Sequence, residues 1–439
     1  MKSFQAALLW LSIYLIVVMA PLFVLLFGPT PLPGGFWWDF AMALGFAALA
    51  MMGVQFVLTA RFRHAMAPFG IDIIYYFHRF LAVFAFVVLT LHYLIIRFDN
   101  PAALGALNPV DAPAYMSAGR VAVVLFGLLV VSSLTRRRLG IEYDRWRWTH
   151  ALGATLAFAL ALWHVVGTGY YVGTQWKQIL WTGYGLFWIG LIGHVRIIRP
   201  WQLLSNPYRV SEVRRERGNA FTLVLEPEGH AGMIFKPGQF AWLTVGNSPF
   251  SLKEHPFSIA SSAARTGTIE FGIKAVGDFT RSAMAVQPGQ QAFLDGPYGV
   301  FSTQRHHAAK GYVFIAGGVG IVPIMCMLRT LADNHDQRLL VLLYGNRKWD
   351  RVLYREELEA LATRLNLVVV HILIEPPEGW QGECGFVTQD ILERHLPANR
   401  CALHYFICGP SAMTQTVDSL LAALGVRSAQ IHNELFEWV

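Results

Sequence analysis

Long apolar runs with few charges occupy residues 1 to about 198, and a composition typical of a globular protein follows from about residue 206. A membrane-spanning helix needs about 20 mostly apolar residues. This criterion predicts six spans, at residues 6–27, 36–59, 73–96, 121–134, 148–168 and 179–197. The fourth is short and could start earlier, near Met116. The pattern therefore predicts a membrane half followed by a soluble half.

Basic residues are concentrated in alternate loops between these spans. Cytoplasmic loops of membrane proteins carry an excess of Lys and Arg. The basic clusters follow the second, fourth and sixth spans: Arg61 and Arg63; Arg136, Arg137, Arg138, Arg145 and Arg147; Arg196 and Arg199. We therefore expect an inner-membrane protein with both termini and the soluble half in the cytoplasm. The same clusters account for the net charge of +7, so we expect contact with lipid and no nucleic-acid partner.

Four histidines in the third and fifth spans repeat one spacing. His78 and His92 lie fourteen residues apart, as do His150 and His164. Fourteen residues are close to four helical turns and rise about 21 Å, so each pair shares one helix face. The two helices run in the same direction, which gives His78 and His150 one depth and His92 and His164 another. The pattern predicts two bis-histidine sites for haem b, stacked across the membrane.

The alternative is that these histidines are satisfied polar residues or lie at helix ends. One isolated histidine in a membrane helix would leave that question open, although ionisable residues there are commonly functional. Matching spacing, direction and depth on two helices favour haem ligation.

The soluble half begins with short alternating strands between Gly and Pro turns, at residues 221–225, 239–245 and 268–275. This spacing predicts a small antiparallel β-barrel. Three short motifs occur in it in order: His255-Pro256-Phe257-Ser258, then Ile273-Lys274, then Gly277 with Phe279 and Thr280.

These motifs resemble those of ferredoxin-reductase-type FAD domains, and more closely those of the NADPH oxidase and ferric reductase family, whose flavin motif reads His-Pro-Phe-Ser/Thr. The resemblance implies that Ser258 hydrogen-bonds the flavin ring and that Phe257 lies along the cofactor. Backbone N–H groups of residues 277–280 would hold the FAD pyrophosphate. Soluble reductases have Arg in place of His255, which leaves the phosphate counter-charge open between Lys274 and Arg281.

Strand–loop–helix units follow from residue 311, with strands at 311–315, 339–344, 367–374 and 405–407. Gly317, Gly318 and Gly320 follow the first strand, and Pro323 lies in the helix that they open. Glycines there let the backbone approach a dinucleotide pyrophosphate at a helix N-terminus. Arg347 follows the second strand, where an Arg suits the 2′-phosphate of NADPH better than the ribose of NADH. The alternative is that Arg347 is a solvated surface charge.

The family resemblance also assigns the end of the chain. It places the nicotinamide at Cys408-Gly409-Pro410, which makes Cys408 a candidate at the hydride-transfer site. Family members end with an aromatic residue stacked on the flavin. Phe436 matches one style of ending, and Trp438 is the alternative.

The sequence thus predicts three domains: a six-helix transmembrane haem bundle (1–205), an antiparallel β-barrel FAD domain (206–305) and an α/β Rossmann-like NAD(P) domain (306–439). The expected activity moves electrons from cytoplasmic NADPH or NADH through FAD and two haems b to an outer acceptor. The leading acceptor is O2, giving superoxide, and a ferric chelate is the alternative. A membrane transporter or redox sensor with a flavin domain is the alternative from another class.

Overall fold

A computed structural model describes residues 2–29, 31–62, 70–246, 248–251, 253–277, 280 and 283–435. The chain divides into two compact units, Met1–Arg199 and Pro200–Val439. We call them the membrane unit and the sheet unit and describe each by itself.

The membrane unit is a helical bundle. Its helices are α1 (Lys2–Leu25), α2 (Phe36–Thr59), α3 (Ile71–Asp99), α4 (Ala114–Thr135), α5 (Tyr143–Thr168) and α6 (Gln175–Gly193), followed by a π-helical turn (His194–Ile198). The short helix α7 (Arg199–Leu203) begins at the last residue of this unit and continues into the sheet unit. Helices α1 to α5 are long and apolar enough to cross a membrane. This confirms a multi-pass membrane architecture, whereas the count of six spans stays a prediction. Helix α4 begins at Ala114, earlier than the predicted span at 121–134. The helix includes polar residues such as Ser117 and Arg120, which a criterion based on apolar runs leaves out.

The helices pack mainly as two pairs, α2 with α3 and α4 with α5. Helix α6 is joined to the end of α1 by Lys177, which is fully buried. Its Nζ donates hydrogen bonds to the carbonyl oxygens of Leu25, at 2.7 Å, and Pro29, at 3.0 Å. The last carbonyls of a helix lack intrahelical partners and carry partial negative charge, so a lysine there stabilises the end of α1.

The first part of the sheet unit is an antiparallel sheet. Its strands are β1 (Tyr208–Glu216), β2 (Ala220–Pro227), β3 (Phe240–Val245), β4 (His255–Ser258), β5 (Ile269–Lys274) and β6 (Gln291–Tyr298), in the order β4-β3-β6-β1-β2-β5. An antiparallel bridge between Ile259 and Phe271 joins its two ends. Both side chains are buried in the apolar core that the strands enclose, as the alternating pattern predicts.

The second part is a parallel sheet flanked by helices. Its strands are β7 (Gly311–Gly317), β8 (Leu339–Asn346), β9 (Leu367–Leu373), β10 (Glu383–Cys384), β11 (His404–Gly409) and β12 (Ile431–Leu435), and its helices are α8 (Ile321–Asp333), α9 (Arg355–Arg364), α10 (Gln389–His395) and α11 (Ser411–Ala423). The strand order is β10-β9-β8-β7-β11-β12. The order reverses between β7 and β11, which is where ligands bind in open α/β sheets, at the carboxyl ends of the strands.

A buried arginine joins the two sheets. Arg329 of α8 makes two hydrogen bonds to Glu357 of α9, at 2.6 and 2.7 Å, and one of 2.9 Å to Glu270 of β5. It also donates to the Ala260 carbonyl oxygen at 2.8 Å. Only 13% of its side chain is exposed, so water screens these charges little.

We predict that Arg329→Met lowers the free energy of unfolding of the sheet unit by about 3 kcal/mol, because it leaves Glu357 without its bidentate partner and Glu270 with only Arg214, at 4.0 Å. Urea denaturation of the full chain in detergent, followed by flavin release, measures the loss. The matched control is Arg217→Met, which breaks a bidentate pair with Glu356 at 2.5 and 2.7 Å. That pair is more exposed, so we expect a cost of at most about 1 kcal/mol. Equal losses in the two variants would contradict the structural role of Arg329.

Candidate cofactor-binding sites

His78 and His150 face each other between α3 and α5. Their ring centroids are 6.4 Å apart and their planes are inclined by 70°. His150 Nδ1 lies 3.3 Å from Ser133 Oγ of α4, and Ser133 itself donates to the Leu129 carbonyl oxygen at 2.6 Å. The hydroxyl oxygen is therefore left to accept a hydrogen bond from the N–H at His150 Nδ1. Within the described part of the chain, His78 Nδ1 is buried and has no hydrogen-bond partner.

His92 and His164 are close enough to interact electrostatically. His92 Nδ1 lies 2.7 Å from the Ala41 carbonyl oxygen of α2, and His164 Nδ1 lies 3.1 Å from the Tyr115 carbonyl oxygen of α4. A carbonyl oxygen only accepts, so Nδ1 carries the proton in both rings. Nε2 is then the nitrogen left for a metal, as is usual for metal-binding histidines.

A glycine gives each of these two rings access to its carbonyl. A Cβ on Gly45 would lie 2.9 Å from His92 Nδ1, and a Cβ on Gly119 would lie 2.7 Å from His164 Nδ1. Each glycine comes four residues after the accepting carbonyl, and Cβ atoms in a helix tilt back toward its N-terminus. A side chain at either position would therefore cover the oxygen. Sequence reasoning missed these supports, and a glycine within an apolar helix was their only signal.

The arrangement fits a haem with two histidine ligands. Two metal–imidazole bonds of about 2 Å, together with the two ring half-widths, place the ring centroids roughly 6 Å apart. The His78–His150 separation of 6.4 Å matches this value. The orphaned Nδ1 of His78 and the fixed Nδ1 of the other three rings agree with four ligands that present Nε2.

The flavin motif lies on β4, which pairs with β3 from His255↔Leu243 to Ser258↔Phe240. His255 and Ser258 are buried, and Pro256 and Phe257 are half-buried. Ile273 lies in the core of the antiparallel sheet, so only its backbone is available to a cofactor, whereas Lys274 is exposed.

In the segment predicted to hold the FAD pyrophosphate, residues 277–280, the Thr280 side chain binds back to the backbone that precedes it. Thr280 Oγ1 accepts hydrogen bonds from the backbone N–H groups of Val276, at 3.0 Å, and Gly277, at 2.9 Å. Phe279 and Arg281 lie outside the described residues.

The two glycine segments predicted for the dinucleotide meet at the β7–β11 switch point. A Cβ on Gly320 would lie 2.1 Å from the Cys408 carbonyl oxygen, and one on Gly409 would lie 3.1 Å from Gly317 Cα. Gly318 has φ +55, in the left-handed region that favours glycine. Pro323 lies in the first turn of α8, where a proline is tolerated. The backbones thus approach closely where a pyrophosphate would bind.

Cys408 is fully buried at the end of β11, next to Gly409 and Pro410. Burial, together with the nearby Glu434 carboxylate, raises its pKa well above the usual range. The sulfur is therefore a thiol at neutral pH, which suits a packing contact beside a bound ring and not a nucleophile.

Arg347 is paired in this structure. Its Nε donates to Glu375 Oε1 at 2.5 Å, and Lys348 Nζ lies 3.5 Å from Glu375 Oε2. The arginine lowers the pKa of the Glu375 carboxyl. Because both partners are exposed, the pair is weak enough for a phosphate to displace the carboxylate.

The two candidate flavin-stacking aromatics, Phe436 and Trp438, lie outside the described residues. Strand β12 leads directly to them, and its last residue, Leu435, pairs with Gly409. The chain therefore leaves the sheet beside the Cys-Gly-Pro segment.

Three family profiles match the chain in succession. Residues 44–161 match the ferric reductase like transmembrane component, residues 208–302 match an FAD-binding domain and residues 314–419 match the oxidoreductase NAD-binding domain. The chain therefore contains FAD- and NAD-binding domains and a membrane-spanning component.

Curated relatives resemble only part of the chain. NADH-cytochrome b5 reductase 1 of Lodderomyces elongisporus is 32% identical over 37% of this chain and 55% of its own length. The reductase component of propane 2-monooxygenase of Rhodococcus jostii is 30% identical over 52% and 62%. The matching region thus spans little more than half of these relatives. The FAD/NAD binding domain of nitric oxide dioxygenase from Vibrio cholerae is 22% identical, covers 53% of this chain and 98% of that one, and has a TM-score of 0.47.

These matches support an oxidoreductase. The matches give, in order, a ferric-reductase-like membrane component, an FAD-binding domain and an NAD-binding domain, which is the domain order of an NADPH oxidase or ferric reductase-like protein.

Proposed function

We propose that this protein carries electrons from NAD(P)H across the membrane to an acceptor on the opposite side. The observation that carries the proposal is the set of four histidines on α3 and α5: the His78 and His150 rings face each other, and His92 and His164 are close enough to interact electrostatically. Bound FAD would accept electrons as a pair and release them singly, and haem b would supply one-electron carriers. The arginine-rich loops favour a cytoplasmic site for the dinucleotide.

The residues of the chain hold and orient these groups. His78 and His150 would bind one haem, and His92 and His164 the other. The Ala41 and Tyr115 carbonyls fix two of the rings and make Nε2 a better donor to iron. In the sheet unit, the switch point between β7 and β11 would take the dinucleotide, and the β4 motif would take the flavin.

We predict that His92→Leu removes one of two haems, because the leucine has no donor atom for the iron. The absorbance of the purified protein measures haem per chain. Reduction of the flavin by dinucleotide, followed by stopped-flow absorbance, should stay within about twofold of wild type, while electron delivery to the opposite side stops. His194→Leu is the matched control, because His194 lies in the π-helical turn and stacks on Phe62. Retention of two haems by His92→Leu would refute the ligand assignment.

Arg347 and Glu375 make opposite contributions to dinucleotide choice. An arginine after the second strand suits a 2′-phosphate, whereas an acid there suits the ribose hydroxyl of NADH. The b5 reductase relative is named for NADH. We propose a preference for NADPH, because the exposed pair can open and Lys348 adds a second positive charge.

We predict that Arg347→Ala lowers the specificity constant for NADPH by about tenfold or more, the worth of one charge-assisted hydrogen bond. The constant for NADH should stay within about twofold. Glu375→Gln should raise the constant for NADPH, because it releases Arg347. Steady-state kinetics with both dinucleotides tests this, with the exposed Arg351→Ala as control. Equal constants for the two dinucleotides in wild type would contradict the preference.

The segment between α3 and α4 supports O2 as the acceptor. Arg120 Nη2 donates to the Leu104 carbonyl oxygen at 2.5 Å, and Asn108 donates to Asp111 at 2.7 Å. These bonds hold the segment in a compact form. Arg120 also acts electrostatically on His164. A segment held compact by hydrogen bonds admits a small neutral molecule such as O2 more readily than a bulky ferric chelate. The nearby Arg120 guanidinium would also stabilise the superoxide anion that forms.

We predict that O2 consumption exceeds the reduction of ferric citrate in sealed vesicles supplied with dinucleotide on the side of the sheet unit. Reduction of cytochrome c on the opposite side should be abolished by superoxide dismutase. Vesicles containing His92→Leu provide the background rate. If anaerobic ferric citrate reduction is much faster than O2 consumption, the protein is a ferric-chelate reductase.

A further inference from the structure

Three histidines that the proposed electron transfer does not use form a cluster in the sheet unit. They are His306, in the turn between β6 and β7, His404, at the start of β11, and His432, on β12. One ring nitrogen from each lies within 4.8 Å of the others. They are 98 and 28 residues apart along the chain, so only the fold brings them together.

The strand register sets two of them side by side. His432 is paired with Phe406, and His404 lies two residues before Phe406 on the same face of the sheet. The His404 and His432 rings are stacked, with centroids 5.3 Å apart and planes inclined by 6°. His404 Nδ1 lies 3.0 Å from His432 Nε2. The His306 ring stacks on His432 with centroids 4.1 Å apart.

The turn that carries His306 is held firmly. Tyr312 Oη, from a fully buried side chain of β7, donates to the carbonyl oxygens of His306, at 3.0 Å, and Thr303, at 3.3 Å. Arg338 Nη1 donates to Tyr312 Oη at 2.8 Å and to the His307 carbonyl oxygen at 2.8 Å. The third histidine is therefore positioned before any ligand arrives.

The donor set also fits a metal ion. Neutral imidazole suits zinc, copper and nickel, and three histidines with a fourth small ligand are a common zinc set.

The spacing of His404 and His432 also agrees, and the His306 nitrogen, within 4.8 Å of the other two, would need to move by at most about 1.5 Å. Two nitrogens bound to one tetrahedral zinc at about 2.05 Å are roughly 3.3 Å apart, close to the 3.0 Å between His404 and His432. A cavity of about 410 Å³ adjoins the cluster, lined by His306 and His404 and by the basic residues Arg305, Lys310 and Arg427. These positive charges disfavour a bare cation but favour an anionic fourth ligand in the cavity, such as hydroxide or chloride.

We propose that His306, His404 and His432 bind one divalent metal ion of the zinc class, with water or a small anion from the cavity as the fourth ligand. The site lies at the amino ends of the parallel strands. Cys408, at the dinucleotide end of β11, is four residues from His404, about 13 Å at ~3.3 Å per residue. The ion therefore has a structural role: it fastens the edge strand β12 and the 303–306 turn to β11.

The test uses the full chain, purified in detergent with its flavin and without a polyhistidine tag. The protein is treated with chelator, incubated with Zn2+ and dialysed. Elemental analysis should find one zinc per chain, and the zinc X-ray absorption edge should show three nitrogen neighbours at about 2.0 Å. Zinc should also raise the temperature at which β12 unfolds. This unfolding is monitored by the release of flavin.

Single substitutions locate the ion. His432→Gln and His306→Gln should each weaken zinc binding by at least about tenfold, with the flavin spectrum retained as evidence of folding. His307→Gln is the matched control, because His307 is exposed, lines the same cavity and lies outside the cluster. Zinc retention by both cluster variants, or loss of zinc from wild type on dialysis, would overturn the proposal and leave a stacked, hydrogen-bonded cluster without metal.

Discussion

The hydrogen bonds from histidine Nδ1 atoms to backbone carbonyls are the interactions on which the membrane unit depends. Inside a bilayer no water can satisfy an imidazole N–H, so a protein acceptor holds the ring that carries one. Ala41, Tyr115 and Ser133 supply such acceptors, whereas among the described residues His78 has none. In an α-helix every interior carbonyl already accepts the N–H four residues later. The carbonyl oxygens of Ala41 and Tyr115 can accept a second hydrogen bond, from a histidine, only because Gly45 and Gly119 leave them uncovered. This requirement explains the pairing of α2 with α3 and of α4 with α5, since each histidine helix needs a neighbour that supplies an acceptor.

The sheet unit meets a different constraint, because its ligand is large and charged and its backbone must come close to it. The reversal of strand order between β7 and β11 opens a crevice at the carboxyl ends of those strands. The close approach of Gly320 to the Cys408 carbonyl leaves no room for a side chain there. The ion pairs of Arg329 hold the antiparallel sheet against α8 and α9, so the flavin motif on β4 and the glycines after β7 belong to one firmly packed body.

Much of this could be predicted from the sequence, because the signals were local. The apolar run of α2 has the bounds of the helix, the strands at 221–225 and 339–344 lie within observed strands, and the strand at 367–374 extends one residue beyond the observed Leu367–Leu373. The fourteen-residue spacing singled out the histidines. What could not be predicted depends on contacts between distant residues: Ala41 lies 51 residues from His92, and Glu375 lies 28 residues from Arg347. The cluster of His306, His404 and His432 has no sequence motif at all. Only the register of β11 and β12 and the turn before β7 create it.

Glycine serves the same purpose in both units, but its replacement has different consequences in each. At Gly320 a methyl group would lie 2.1 Å from the Cys408 carbonyl oxygen, so backbone at the end of two strands would have to shift. At Gly45 and Gly119 a methyl group would instead lie 2.9 and 2.7 Å from an imidazole Nδ1, and would push that side chain away from the carbonyl that accepts its N–H. An unsatisfied N–H in hydrocarbon costs several kcal/mol of folding free energy. The tilted ring would also turn Nε2 away from the place where the haem iron would bind. Replacement of Gly320 would therefore disturb the backbone at the switch point, whereas replacement of Gly45 or Gly119 would disturb the orientation of a histidine that we propose as a haem ligand.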